Sequence, residues 1–251
     1  MERKYELTDE TKDLFGHTLH RIVAVRDFAG VKAGDKGGWI EQESNLSHYG
    51  NCWVYDDAEV MENAEVYNSA KVYGSARLFG HAKIYRNARA HGSATLCRNA
   101  EVFNDAEVYG YAEVYDNAKV FGSANVYGSA KVYDNAMVCG YAEVYDIAMV
   151  CSNARICEDA KVCGDAEVSG EASIREDAVV SSNRDYIVFK NWWSSGRYFT
   201  WTRSNNKWRV GCFYGTGEEL IRKAYKDSEQ SGREYERIVR YVEEILNDNQ
   251  E

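Results

Sequence analysis

From about Cys52 to Val180 the chain repeats a six-residue unit without interruption, so that apolar and polar places fall in fixed register. Alanine holds every sixth place from Ala58 to Ala178. Two residues after each alanine stands an aliphatic side chain: Val54, Val60, Val66, Val72, Leu78, Ile84, then, after Ala90, Leu96, Val102 and onward to Val180, 22 positions in all. On a strand, residues two apart point to the same face, so alanine and valine share an interior while the residues between and after them face outward. A helix fits poorly, because a step of six places successive valines about 240° apart around its axis. Gly, Asp, Asn or Ser in the next two places tolerates left-handed backbone, which lets each short strand end in a sharp corner.

Three such units make a triangular coil, and the predicted fold is mainly β: a single-stranded parallel β-helix of about seven coils. The expected division is an N-terminal cap and lead-in over 1–50, the repeat over 51–183 and a small α+β domain over 184–251. With 18 residues per coil, outward residues stack in columns, such as Glu65, Lys83, Glu101, Lys119 and Glu59, Arg77. Their alternating signs are what cross-strand pairing favours. The least polar outward column is Tyr67, Tyr85, Phe103, Phe121, Cys139, Cys157. It reads either as a simple stacking ladder or as a homo-oligomer interface, since long apolar stripes commonly mark interfaces.

After Ser182 the repeat stops. Asp185–Lys190, Arg197–Arg203 and Lys207–Phe213 read as three antiparallel strands, and Glu218–Asp227 and Arg233–Asn247 as two helices. Tyr235, Ile238, Val239, Val242, Ile245 and Leu246 fall on one face of the second helix, which is expected to cover the sheet.

Charge changes the picture here. The protein carries a net charge of −10, yet between Arg184 and Val210 six basic residues stand against Asp185 alone. Four of the six tryptophans lie in the same stretch. Aromatic planes beside guanidinium groups combine stacking with anion pairing, as in nucleotide and single-strand binding. The candidate ligand-binding residues are therefore Trp192, Trp193, Ser195, Arg197, Tyr198, Trp201, Arg203, Lys207, Trp208 and Arg209. The competing reading is that alternation buries some of these aromatics in a sheet core and that the basic groups offset the acidic helices. Trp192–Arg197 is the best local candidate, because adjacent tryptophans on a strand cannot both face one core and the following turn is expected to leave N–H groups free. A discrete small anion of nucleotide type, or a host protein, fits better than non-specific duplex DNA, which needs many phosphate contacts.

The absence of proline, with 20 glycines and 19 tyrosines, agrees with regular strands and tight turns. No apolar run approaches the roughly 18 residues that span a bilayer, and the start, Met1-Glu2-Arg3-Lys4, lacks an apolar signal core, so a cytoplasmic location in a bacterial host and no membrane partner are expected. Five of the seven cysteines take aromatic places in the repeat and are read as reduced thiols. Cys139 and Cys157 lie one coil apart and are able to approach, but a cytoplasmic setting disfavours a bridge. No CxxC pair occurs, so neither a zinc site nor any other metal or cofactor is expected.

The Ala-x-Val-x-Gly-x pattern resembles the hexapeptide-repeat proteins with a left-handed parallel β-helix, and it covers about half of the chain. Handedness is what that resemblance implies, since ordinary parallel crossovers are right-handed. Arg21–Phe28, Val31–Ile40 and Asn45–Val54 look like the start of phage and prophage members often labelled putative transferases; Gly211–Thr216 looks like their end module. Acyltransferases of this family typically place a histidine base in a cleft between subunits, often beside a loop extruded from the coil. Here the repeat extrudes no loop, and His17, His20, His48, His81 and His91 all precede residue 92. His81 at a corner and His91 in an aromatic place read as structural or solvated. The sequence therefore reads as a non-catalytic, phage-type homo-oligomer, a trimer or a dimer, with no catalytic residue assigned. It would counteract host defence by sequestering a nucleotide-like signal or occluding a host protein. An acyltransferase-like enzyme and a structural or assembly protein are the alternatives.

Overall fold

In the computed structural model, which describes residues 2–248, the chain forms a three-sided β-solenoid closed at one end by an antiparallel hairpin and at the other by a small α+β module. Met1 and positions 249–251 of the expected C-terminal domain lie outside the described residues. The repeat behaves as its spacing requires. Two-residue strands from Trp53–Val54 to Val179–Val180 stack in three parallel sheets, each residue pairing with the one 18 away, as in Glu101↔Lys119 and Val102↔Val120. The alanines and valines of the repeat form one continuous core with essentially no exposure.

The solenoid has about eight turns rather than seven. Trp39–Ile40, within the strand Lys36–Ile40, pairs in parallel with Glu59–Val60, and Leu46 bridges to Val66. These residues form one further coil ahead of the regular repeat, with Gly38 in an alanine place where a Cβ would stand 2.6 Å from Val54 Cγ1. Before it, strands Tyr5–Leu14 and His17–Ala24 form a hairpin that continues the same sheet in antiparallel fashion.

Every corner of the regular repeat takes the left-handed conformation, and not only at glycine: Asp116, Asp134, Arg86 and Glu158 adopt it as well. Acidic residues suit this place because the corner N–H one coil on lies outside the ladder and needs an acceptor. The Asp56 carboxylate accepts from Gly74 N at 2.9 Å, Asp134 from Ser152 N at 3.0 Å and Glu158 from Glu176 N at 2.8 Å.

The outward columns also stack as expected. Lys83 pairs with Glu65 at 3.1 Å, Lys119 with Glu101 at 2.9 Å and Arg77 with Glu59 at 2.9 Å. Tyr67, Tyr85, Phe103 and Phe121 lie face to face with centroids 4.8–5.0 Å apart, close to the strand spacing itself. Further down this column Cys139 and Cys157 are joined as a disulfide, their Cα atoms 4.6 Å apart. This corrects the reading of all repeat cysteines as reduced: ladder pairing alone brings two cysteines in one column to bridging distance.

The C-terminal module has four strands, not three: Tyr186–Lys190, Tyr198–Thr202, Lys207–Val210 and Phe213–Gly215. The third expected strand breaks at Gly211, whose φ of +56° turns the chain. Helices α1 (Gly217–Asp227) and α2 (Glu229–Asp248) cover one face of the sheet. The Thr216 hydroxyl and the Glu219 carboxylate cap α1 reciprocally. The other face meets the last coil and supplies side chains to its open edge. Ser173 N donates to Thr200 Oγ1 at 3.0 Å, Val179 N to Ser204 Oγ at 2.7 Å and Glu167 N to Asn183 Oδ1 at 2.7 Å. Strand N–H groups that would otherwise invite pairing with another chain are thereby satisfied. Among the described residues no helix is long and apolar enough to cross a membrane.

Candidate anion-binding site

Alternation along the C-terminal strands decides which candidate residues can meet a ligand. Phe199 and Trp201 point toward the helices, as does Trp208, directly opposite Trp201 on the neighbouring strand. Trp201 and Trp208 are 1% and 2% exposed, so their assignment as ligand-binding residues is corrected: they are the core that α1 and α2 cover. Trp201 Nε1 is held by Asn206 Oδ1 at 2.9 Å. Thr200 and its cross-strand partner Arg209 lie on the opposite face, toward the solenoid.

The turn at 191–197 also differs from expectation. Trp192 is 73% exposed, whereas Trp193 is half-buried, edge-on to Tyr235 at 5.0 Å. Two of the turn's N–H groups are not free to bind an anion. Ser194 N donates to Asn191 Oδ1 and Gly196 N to Asn191 O, while Asn191 Nδ2 donates to Tyr235 Oη at 2.9 Å. Arg203 is exposed and Lys207 half-buried on a part of the sheet away from this turn. Ser195 lies with Arg197 and Lys223 on a smaller cavity of about 300 Å³ beside the helices.

What the fold assembles instead is a cleft of about 510 Å³ between the last coils and the C-terminal sheet. The sheet side provides Arg197, Tyr198 and Arg209, three of the expected residues; the solenoid side provides Arg155, Arg175, Asn153, Ser173 and Glu171. Four arginines thus face one carboxylate, and that carboxylate already accepts from Asn153 Nδ2 at 2.8 Å. Arg175 is committed: it donates to Glu158 at 3.1 Å and to Ser173 Oγ at 3.2 Å. Among the described residues Arg209 reaches only the Phe213 carbonyl, at 3.5 Å. Burial, and then the neighbouring Arg175 guanidinium, lower the Arg209 pKa against the opposing pull of Glu158. No hydrogen bond or ion pair engages the guanidinium of Arg155 or Arg197 among the described residues. Tyr198 is 45% exposed at the rim, its ring 5.5 Å from Lys190 Nζ.

Sequence reasoning missed the solenoid half of this cleft, although the columns carried a signal. Arg155 is flanked in its column by Met137 and Ser173, where the other basic residues before the valines, Lys71 excepted, have a carboxylate one coil away. Arg175 ends the column of Tyr67 and Phe103, a cation in an aromatic place.

The histidines do not converge on an acyl-transfer site. His91 is sandwiched between Tyr73 and Tyr109, and burial lowers its pKa. His17 pairs with Glu41 at 2.9 Å, which raises its pKa, and His20 Nδ1 lies 3.2 Å from the Thr8 carbonyl. His48 stacks on Tyr5, and His81 is an exposed corner. Among the described residues no group of His, Cys, Asp and Glu is placed to hold a metal.

No family model matches the chain. An alignment 67 positions long, which covers 23% of the chain, is 39% identical to an uncharacterized acetyltransferase, YdcK, of Escherichia coli (strain K12). The chain matches 20% of that relative's length, so the likeness is local. Together with the solenoid it fits a β-helix family. The word acetyltransferase describes that protein.

Proposed function

We propose that this chain is a non-catalytic binding module that holds a phosphate-bearing, nucleotide-like anion in the cleft between the last coils and the C-terminal sheet. The observation that carries the reading is the pair Arg155 and Arg197, two guanidinium groups on opposite walls of one cleft, neither with a carboxylate partner among the described residues. Guanidinium groups match phosphate bidentately, and charge-assisted bonds are about twice as strong as neutral ones. Tyr198 at the rim offers a stacking surface to a base. The resemblance of the leading segment to phage-type proteins supports use of the site to sequester a host nucleotide signal, with self-association along the column of Tyr67, Tyr85, Phe103 and Phe121. Acyl transfer is not favoured, because no histidine lines this cleft.

Isothermal titration of nucleoside mono-, di- and triphosphates, cyclic nucleotides and the parent nucleosides tests the reading. Each arginine contributes about 1.5–3 kcal/mol to a bound phosphate, so Arg155→Ala and Arg197→Ala should each weaken binding by about 10- to 150-fold. Trp192→Ala, outside the cleft, should leave it unchanged. If no phosphate compound binds at millimolar concentration, or if nucleosides bind as tightly as their phosphates, the proposal is wrong.

A further inference from the structure

At the opposite end of the molecule a lysine is buried without an anion. Lys4 has no exposure, and its Nζ donates to the Cys52 carbonyl at 2.8 Å and lies 3.2 Å from the Cys52 sulfur, which is equally buried. The Phe28 ring stands 5.1 Å from the same nitrogen, and no carboxylate pairs with it among the described residues. Lysine is almost never fully buried unless paired. Burial lowers the Lys4 pKa against the opposing pull of Cys52, and the nearby Arg26 acts in the same direction as burial. The sulfur also approaches the carbonyls of Ser47 and Tyr49, at 3.4 and 3.6 Å. Those two residues and His48 line a cavity of about 360 Å³, which places the pair one layer beneath a pocket wall and within reach of a small apolar oxidant.

We infer that Lys4 and Cys52 form an oxidative modification site, at which dioxygen joins the lysine nitrogen to the cysteine sulfur through one oxygen atom, as an N–O–S bridge. In this step the nitrogen and the sulfur each lose two electrons and dioxygen takes up all four. One oxygen atom forms the N–O and O–S bonds; the other leaves as water with two of the displaced hydrogens. Starting from the ammonium and the thiol, one proton is released to solvent. The bridge ties the first residues of the N-terminal hairpin to the first coils of the solenoid, across 48 positions of chain. A thiol reductant reverses it and restores the free amine and thiol. The site is independent of the anion cleft.

Peptide mapping of the full-length protein tests this. One sample is purified in air, the other kept anaerobic with reductant; both are denatured without reductant, alkylated and digested. In the aerobic sample the expected product is a cross-linked pair of peptides carrying Lys4 and Cys52, heavier than their sum by one oxygen and lighter by two hydrogens. It should separate on treatment with dithiothreitol and be absent from Cys52→Ser and Lys4→Arg. Complete alkylation of Cys52 in the aerobic sample overturns the inference, as does Cys52 found as a sulfinate or in a disulfide with Lys4 unmodified. The wild-type map decides the matter even if the variants fail to fold.

Discussion

Ala90 is the only alanine among the 22 aliphatic places of the repeat, and its neighbours show why it is tolerated. It faces the interior with Leu78 and Ile84 of its own coil, Leu96 begins the next, and all four are fully buried. Its ladder partners above and below are Val72 and Val108, so the backbone register there is ordinary. Relative to valine, Ala90 gives up two methyl groups, while Leu78, Ile84 and Leu96 each add one methylene. The coil has exchanged volume between sides of the triangle.

Ala90→Val would gain about 1.6 kcal/mol of apolar transfer if space existed for it. In a close-packed interior the overpacking penalty reaches about 3 kcal/mol, enough to outweigh that gain, and the single variant should lose about 1 kcal/mol. Leu78→Val with Ile84→Val removes one methylene from each side and should cost about 2 kcal/mol in total. Combining all three gives the Val-Val-Val composition that three of the seven coils have. The triple variant should therefore be about 2 kcal/mol more stable than the sum of its parts. Urea unfolding followed by circular dichroism measures this, provided the slope of the transition is unchanged. Additivity within about 0.5 kcal/mol, or a stabilised Ala90→Val, would show that the sides of the triangle do not share their volume and would refute the argument.

Two further outcomes follow from particular contacts. Gly140 and Gly170 have similar positive φ angles, +73° and +67°, but a Cβ on Gly140 would meet Glu158 N at 2.7 Å, whereas nothing lies within 4 Å of one on Gly170. Gly140→Ala should therefore lower the unfolding midpoint well beyond the conformational cost of about 1–2 kcal/mol that Gly170→Ala also carries, and equal losses would count against stacking as the cause. Burial alone would raise the Asp185 pKa, but hydrogen bonds from the backbone and hydroxyls of Ser181 and Ser182 more than offset this and hold it below the ordinary value. Because the folded-state pKa is depressed, its contribution to stability is present above about pH 4 and is lost as pH falls through the depressed value. Tryptophan fluorescence of the C-terminal core during acid titration should show Asp185→Asn less stable at neutral pH, with a shallower acid loss than wild type. Parallel curves would exclude Asp185 as the source.

Much of the fold is legible because the repeat overdetermines it. The same six-residue step fixes which residues turn inward, where corners fall and which outward side chains stack, and alternatives such as a helix fail on all three. The additional coil was hidden because its pattern is degenerate: Gly38 stands in for alanine, a 3-10 turn over Glu43–Asn45 leaves Ser44 exposed and buries Asn45 before Leu46, and the step from Leu46 to Val54 is eight residues instead of six. Nothing local marks Ile40 and Leu46 as rungs; only pairing with Val60 and Val66 does so.

The candidate site divides along a different line. Arg197, Tyr198 and Arg209 were identified from a local concentration of basic and aromatic residues, but that same concentration drew in Trp201 and Trp208, which alternation sends to the helix-covered face. Composition reports what a segment contains, and strand parity decides which half of it a ligand can meet. The solenoid half required a longer-range inference. Arg155 and Arg175 belong to columns with an 18-residue period, and each breaks its column's rule: Arg155 has no carboxylate one coil away, and Arg175 follows aromatics and cysteines. In a repeat this regular, departures from a column are themselves a signal. Arg155 and Arg175 lie in the last coils, where the C-terminal sheet supplies the opposite wall and a residue no longer has to serve the ladder alone.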